Sequence, residues 1–424
     1  MSLVVRGGKV LDPVSGKQEV MDIVIEDGRI SEIGPDAGKK ASGDVIDAQG
    51  RLVMPGLTDL RTHIREPGEE YKEDIDTASI AAVAGGFTSI VANASGATPM
   101  DTPEMIEFVV RRGREVGLCE VLTAGSITVG LRGELLAEAA GLQKAGAVCL
   151  SEGVRTVANA RLMRSALEYS CDFGLTVMSY ACDADLSKGG QVSEGHVSTQ
   201  LGLLGIPHAA EEAVVARDLA LAALTDARLH LTQLSCAGSV EQVRQAKARG
   251  VKVTADVSVN HLYFTEKNVL GFDTNLKLAP PLRRTQDQKA LIEGVADGTI
   301  DAISTGHAPQ SILEKDVTFG RASTGALGLQ TALAVCFGIA QKHQIPQLTM
   351  LERLTTGPAE VLGRAHAGLN QGAQANLTIF NPEEEWAVES TQIVSKSKNS
   401  PFLGKTLQGM VEKTIFDGRV VYSP

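Results

Sequence analysis

Short runs of β-branched residues, separated by turn dipeptides, mark the two ends of the chain. Residues 20–25 and 30–33 are such runs, and Asp27-Gly28 stands between them as a hairpin signal. Residues 375–380 and 410–421 repeat the pattern near the other end, with Asp417-Gly418 as a second turn. Two β-rich ends around a long middle predict that residues 1–54 and 368–424 join into one small β domain.

The middle of the chain alternates between short apolar runs and segments with helical spacing. Apolar runs occupy residues 88–92, 148–150, 175–179, 228–231, 251–257 and 300–304, with helical spacing over residues 103–116, 158–169 and 239–249. Repeated strand–helix units predict an α/β fold with a parallel sheet. About eight of them close into a TIM-type (β/α)8 barrel, here over residues 55–367.

The composition of the chain limits which kinds of molecule it can be expected to bind. The chain has 424 residues, 40 basic and 51 acidic, and a net charge of −11. This balance argues against binding to nucleic acid or to an anionic membrane. The start of the chain lacks the pattern of a secretory signal, and apolar runs such as residues 219–224 are too short to span a bilayer. Six scattered cysteines without a CxxC pair indicate reduced thiols and a cytoplasmic protein.

Candidate chemistry begins just after the first strand of the middle region, since the active sites of such barrels lie at the carboxyl ends of the strands. Residues 55–68 read Pro-Gly-Leu-Thr-Asp-Leu-Arg-Thr-His-Ile-Arg-Glu-Pro-Gly. This segment resembles the dihydroorotase motif Pro-Gly-x-x-Asp-x-His-x-His-x-Arg-Glu-Pro-Gly. Further segments resemble motifs of the same family in the same order: residues 85–88, 202–207, 280–283, 298–303, 307–309 and 399–402. The resemblance to dihydroorotases, members of the amidohydrolase superfamily, implies a metal-dependent hydrolase barrel with a β-sandwich built from both termini.

The resemblance also implies a ligand set, from which this chain departs. Active dihydroorotases hold two zinc ions with paired histidines, a bridging acid or carbamylated lysine, two later histidines and an aspartate. The corresponding positions here include Arg61, Tyr180, Gln233 and Gly306. A guanidinium cannot bind zinc, and an amide oxygen is a poor ligand beside imidazole. Four replacements are incompatible with a two-zinc site.

Gly306 stands where the resemblance implies an aspartate that also transfers the proton of the reaction. Losing a positioned acid/base group typically costs about 10²–10⁴-fold in rate. We therefore expect no catalytic residue, no bound metal and no cofactor, and we expect the chain not to be an enzyme.

His63, Glu152 and His307 remain at positions of the family pattern and could hold a single metal ion. A stable zinc site needs three or four placed ligands with a supporting shell, so hydrogen-bonded histidines at the barrel mouth are the expected arrangement. His261 matches part of a pattern with two histidines, and we expect it to be a hydrogen-bonded loop residue as well.

Arg65 matches the arginine that, by resemblance, holds the substrate carboxylate, a role suited to its planar guanidinium. Ser95 stands near its partner asparagine, and Gln310 replaces a histidine that contacts substrate. Half of a carboxylate pocket favours a structural role for Arg65, namely an ion pair with a nearby acid such as Glu66 or Asp59.

A nearly complete barrel without its reaction centre predicts a structural or assembly role. By resemblance to non-catalytic dihydroorotase-like chains, the expected partner is the catalytic chain of aspartate carbamoyltransferase, in de novo pyrimidine biosynthesis. The chain would then form a homo-dimer or a hetero-oligomer. Two alternatives stay open: an amidohydrolase with an altered or mononuclear metal site acting on a cyclic amide, and a sensor of pyrimidine precursors.

Overall fold

The computed structural model describes residues 2–39 and 43–424 and begins with five strands. They are β1 (Ser2–Asp12), β2 (Lys17–Glu26), β3 (Arg29–Gly34), β4 (Asp44–Asp47) and β5 (Leu52–Pro55). Asp27 and Gly28, both at positive φ, form the predicted hairpin turn between β2 and β3. Positive φ at both central residues matches the right-handed twist of the flanking strands.

The middle of the chain forms the predicted barrel. Its strands are β6 (Leu57–Thr62), β7 (Phe87–Ala92), β8 (Glu120–Ser126), β9 (Ala147–Ser151), β10 (Thr176–Tyr180), β13 (Leu229–Thr232), β14 (Val253–Ser258) and β15 (Ala302–Ser304). Two short strands between β10 and β13, β11 (Val192–Ser193) and β12 (Gly205–Ile206), pair with each other outside the barrel. The eight barrel strands pair in the order β6-β7-β8-β9-β10-β13-β14-β15. A bridge between Thr62 and His307 brings the first and last strands together. The barrel is nearly closed, as expected from the repeated strand–helix units.

Thirteen α-helices lie among the described residues, most of them between barrel strands. They are α1 (Ile75–Ala84), α2 (Pro103–Val116), α3 (Ala139–Ala145), α4 (Ala160–Cys171), α5 (His196–Leu201), α6 (Ala209–Thr225), α7 (Ala237–Ala248), α8 (Val259–Tyr263), α9 (Thr285–Asp297), α10 (Ile312–Lys315), α11 (Ala332–His343), α12 (Gln347–Glu352) and α13 (Thr356–Val361). Helix α2 shows why they begin and end where they do: Pro103 fits its first turn and Gly117 ends it at φ 66°. In the part of the chain that the structure describes, no helix is long and apolar enough to cross a membrane.

The last three strands return to the first domain. They are β16 (Leu377–Ala387), β17 (Thr406–Phe416) and β18 (Arg419–Tyr422). Strand β16 pairs with β5, so both termini share one eight-stranded sheet with its own apolar core. Residues 388–405 leave this sheet and lie over the barrel, where Asn399 Nδ2 donates to the Ala308 carbonyl oxygen at 3.2 Å. The fold class predicted from the sequence is confirmed: an α/β barrel with a β domain from both termini.

Candidate functional site

A cavity of about 320 Å³ lies at the carboxyl ends of the barrel strands. The side chains of eight positions singled out in the sequence line it: Arg61, His63, Arg65, Ser95, Gln233, His261, Gly306 and Gln310. Tyr180 and Glu152 line a neighbouring cavity, which shares the wall formed by Leu131 and Arg155. His307 lines neither cavity. The barrel therefore brings most of the predicted positions to one place.

Arg61, on β6, lies in the cavity wall with 4 % of its surface exposed. Its Cζ lies 5.2 Å from the centre of the Tyr180 ring, a cation–π contact across the barrel. Nη2 is buried without a hydrogen-bond partner, and no carboxylate in residues 2–39 and 43–424 lies within ion-pairing distance of the guanidinium. Burial lowers the pKa of Arg61, and nearby Tyr180, Asp256 and Asp59 oppose the shift; a guanidinium nevertheless stays charged in proteins.

Two buried carboxylates, Asp59 and Asp256, accept hydrogen bonds from other residues of the barrel wall. Asp59 accepts from Thr305 N at 2.7 Å and from Thr305 Oγ1 at 2.9 Å. Asp256 accepts from His230 Nε2 at 2.9 Å and, through its other oxygen, from Gln233 N at 3.0 Å. Burial raises the pKa of Asp59. Burial also acts to raise the pKa of Asp256, but its bonds with His230, Ser304 and Thr232 together outweigh that effect, so the pKa of Asp256 is lowered. These bonds hold strands together, and neither carboxylate makes an ion pair with Arg61, although both act on its charge from nearby.

Arg65 has a structural partner, but not either of those predicted. Its Nη1 lies 2.9 Å from Glu69 Oε2, and its Nε donates to the Pro309 carbonyl oxygen at 3.0 Å. Glu69 also pairs with Lys72, at 2.6 Å. Arg65 does pair with a nearby acid, but that acid is Glu69 rather than Glu66 or Asp59, because the turn after β6 folds back and brings Glu69 to the guanidinium. The positive charge of Arg65 is therefore balanced by Glu69.

The two histidines expected to survive from a metal site face different surroundings. Burial, reinforced by Arg65 and Arg61, lowers the pKa of His63 far below its usual value, and its Nδ1 has no partner. His307 Nδ1 accepts from Gly328 N at 3.3 Å, and its Nε2 lies 3.6 Å from buried Glu73. His307 is thus part of the barrel seam.

Glu152 is likewise held away from the cavity that contains His63. Its Oε2 accepts from Thr128 N at 3.1 Å, and its Oε1 accepts from Thr128 Oγ1. Burial raises the pKa of Glu152, and the bonds from Thr128 counteract the shift. The alternative of one metal ion on His63, Glu152 and His307 therefore has no assembled ligand set. Within the described residues, no three His, Cys, Asp or Glu side chains are placed to hold a metal ion.

Gln233 and Gly306 occupy adjoining positions on the cavity wall. Both have positive φ, 57° and 60°, and a Cβ on Gly306 would lie 2.6 Å from Gln233 Nε2. Gln310 donates through Nε2 to the Thr324 carbonyl oxygen at 2.8 Å, which leaves its Oε1 without a partner. Ser95 donates from both its backbone nitrogen and its Oγ to Asn93 Oδ1, each at 3.0 Å.

The residues present do not fit the two zinc ions that the fold family implies. A guanidinium, a phenol, an amide and a glycine stand at the four altered positions, and none offers a strong zinc ligand. The Arg61 charge would also repel a dication placed beside it. The chemistry of the donor set therefore excludes the family's binuclear centre from this cavity.

Sequence reasoning missed two residues that shape the cavity. Glu69 fixes Arg65, and Asn260 lines the wall with a buried Oδ1 that has no partner. Glu69 lies four residues beyond Arg65 in an irregular turn, where that spacing has no fixed geometry. Asn260 follows β14 directly, and its position after a barrel strand was a usable signal.

The fold and the cavity together define a barrel protein with a polar cavity at its mouth. A model of the dihydro-orotase-like family matches residues 50–239, and a model of the amidohydrolase family matches residues 199–421. The chain is 42 % identical over 422 residues to a dihydroorotase of Geotalea daltonii, covering 100 % of this chain and 99 % of the relative. A dihydroorotase of Pelobacter propionicus is also 42 % identical, with 100 % of both chains covered. The chain belongs to the dihydroorotase family of the amidohydrolase superfamily.

Solved structures support the fold alone, since their sequences have diverged far. An L-hydantoinase (dihydropyrimidinase) from Arthrobacter aurescens superposes with a TM-score of 0.88 at 22 % identity, over 99 % of this chain and 96 % of that chain. A dihydropyrimidinase from Brevibacillus agri superposes with a TM-score of 0.85 at 20 % identity, over 100 % and 95 %.

The relatives correct one prediction, that the chain is not an enzyme. They match it from end to end at about two-fifths identity, and they are named for an enzyme. The prediction equated the loss of zinc ligands with the loss of activity. The replacements at Arg61, Tyr180, Gln233 and Gly306 stand in the structure, but they bear only on a route through zinc.

Proposed function

We propose that this chain is an amidohydrolase of pyrimidine biosynthesis that acts on a cyclic amide bearing a carboxylate, the class of compound for which its relatives are named. In such a reaction water adds to the ring carbonyl carbon, the carbon–nitrogen bond breaks, and the released nitrogen gains a proton. Because the cavity does not fit two zinc ions, side chains rather than zinc would contact the reacting groups.

One observation carries the proposal: buried polar atoms without partners are concentrated in the residues that line the cavity. They belong to Arg61, His63, Asn260, His261 and Gln310, all of them more than nine-tenths buried. Buried polar groups are normally hydrogen-bonded, so a concentration of unpartnered ones in one cavity indicates that a polar ligand completes them.

Turnover of dihydroorotate to carbamoyl aspartate, measured in both directions, tests the proposal. We expect product from the purified chain, and less from His63→Ala, because that variant removes an unpartnered nitrogen from the cavity wall. His343→Ala is the matched control, since His343 is exposed and distant from the cavity. A rate no higher than that of His63→Ala, with zinc or with a chelator, would contradict the proposal.

The partner expected from the resemblance is a separate proposal. We propose that the chain associates with the catalytic chain of aspartate carbamoyltransferase, as part of a hetero-oligomer. Resemblance alone supports this partnership. We also propose a cytoplasmic location, which the six scattered cysteines without a CxxC pair support. Mixed at micromolar concentrations, the two chains should elute together from a sizing column. Separate elution would count against the association.

A further inference from the structure

The cationic group of the cavity is supplied by the chain itself. We propose that Arg61 takes the place of the metal ions as the fixed positive charge of the site and binds the carboxylate of the ligand. This inference rests on the proposed function only for the class of ligand. The first step is the position of the guanidinium: it lines the cavity, it is buried, and Nη2 lacks a partner.

The second step distinguishes Arg61 from Arg65, the partly buried arginine of the same cavity. The charge of Arg65 is balanced by Glu69, whose second oxygen pairs with Lys72. Arg61 has no such carboxylate within the described ranges, and its contact is the face of the Tyr180 ring. Asp256 and Asp59 act on this charge only from a distance. A buried guanidinium without a contacting counter-ion is unfavourable, and a bound anion would supply one. The geometry therefore assigns the carboxylate to Arg61 rather than to Arg65.

The third step concerns what else the ligand must carry. His261 Nε2 donates to the Pro280 carbonyl oxygen at 3.1 Å, so its unpartnered Nδ1 is a bare acceptor. Burial lowers the pKa of His261 to about 4, which keeps the ring neutral at pH 7. Gln310 presents a second acceptor, because its Nε2 is bound to the Thr324 carbonyl oxygen and its Oε1 is unpartnered.

One cation and two acceptors select a ligand with an anionic group and N–H donors on the same small frame. A carboxylated cyclic amide or ureide has both. Inorganic phosphate satisfies the cation but supplies no N–H group to His261 or Gln310, so it should bind far more weakly. The cavity of about 320 Å³ is of the size used for ligands of this kind.

Calorimetry in the presence of a chelator tests the inference with two probes: dihydroorotate, and its neutral analogue in which the carboxylate is a carboxamide. We expect the wild-type chain to bind dihydroorotate without metal and to bind the carboxamide more weakly. Arg61→Met should weaken dihydroorotate binding by roughly 10–100-fold, the usual effect of losing a hydrogen bond to a charged group. The variant should also no longer distinguish the two probes.

Arg249→Met is the matched control, since Arg249 is an exposed arginine after α7 that lines neither cavity, and the affinity of this variant should equal that of the wild type. Circular dichroism verifies that both variants are folded. Equal affinity of Arg61→Met and wild type, binding only after zinc is added, or no binding of dihydroorotate to the wild type would each overturn the inference. Binding is measured here without turnover, so a chain that binds through Arg61 but releases no product would refute only the proposed function.

Discussion

Lys72 forms ion pairs with two carboxylates beside the cavity, Glu69 and Glu314, and its replacement by methionine should destabilise the folded protein. Its Nζ lies 2.6 Å from Glu69 Oε1 and 2.8 Å from Glu314 Oε1, and its side chain is 7 % exposed. Removing one partner of a fully buried pair costs about 3–5 kcal/mol, whereas exposed pairs contribute about 0.2–1 kcal/mol. Glu314 is 24 % exposed, so we expect Lys72→Met to lower the free energy of unfolding by about 2 kcal/mol.

The pH dependence of Lys72→Met provides an independent estimate. Burial acts to raise the pKa of Glu314, but its bonds with Lys72 and Ser311 lower it from 4.5 to about 2. Such a shift corresponds to at most about 3 kcal/mol, and partial exposure reduces this. Ser311 supplies part of the shift and remains in the variant, so about 2 kcal/mol is the upper bound for the share of Lys72. A depressed pKa stabilises the folded state above the unfolded pKa, so this contribution is complete at pH 7 and is lost as the pH falls from 4.5 toward 2.

Urea unfolding of the wild type and Lys72→Met at pH 7 and at lower pH measures both effects. The difference between the two proteins should be largest at pH 7 and should shrink as the pH falls below 4.5. Lys289→Met serves as the control, because Lys289 pairs with Glu293 at 3.6 Å on the exposed face of α9 and should give no measurable change. A difference that stays constant with pH, or one below about 0.5 kcal/mol at pH 7, would refute the reasoning.

Three further perturbations test the rest of the site. Gly306→Asp should lower the free energy of unfolding by about 1–2 kcal/mol, because φ is positive at this position and the new Cβ would meet Gln233. Metal analysis of this variant should still find no zinc, since the Arg61 charge remains beside the new carboxylate. Uptake of about one zinc per chain would contradict this expectation. Asp256→Ala should cost about 3 kcal/mol or more in urea unfolding, because four donors lose one buried acceptor. Exposed Asp172→Ala, at the end of α4 with φ −62°, should be neutral. Dialysis against a chelator should leave the thermal midpoint unchanged, whereas a fall on metal removal would show that a bound ion stabilises the fold.

The barrel could be predicted from the sequence because each strand–helix unit carries its own local signal. The contact between Arg61 and Tyr180 could not, because β6 and β10 are not neighbours and face each other only after the sheet closes. The pair of Arg65 with Glu69 depends on an irregular turn, in which sequence spacing does not determine distance. Residues 388–405 also lie over the barrel without any periodic pattern that predicts this position.

The replacement of a metal by Arg61 changes how the site responds to its surroundings. A zinc ion is held in equilibrium with free metal, so a zinc site can be emptied by a chelator or by acid that protonates its ligands. A guanidinium is covalently part of the chain and keeps its charge across the physiological pH range. Affinity for an anionic ligand should therefore persist where metal is scarce, while the chemistry that zinc provides is absent. Any hydrolysis by this chain then depends on how well Arg61 and its neighbours place the carboxylate, because position is the contribution that such side chains can make.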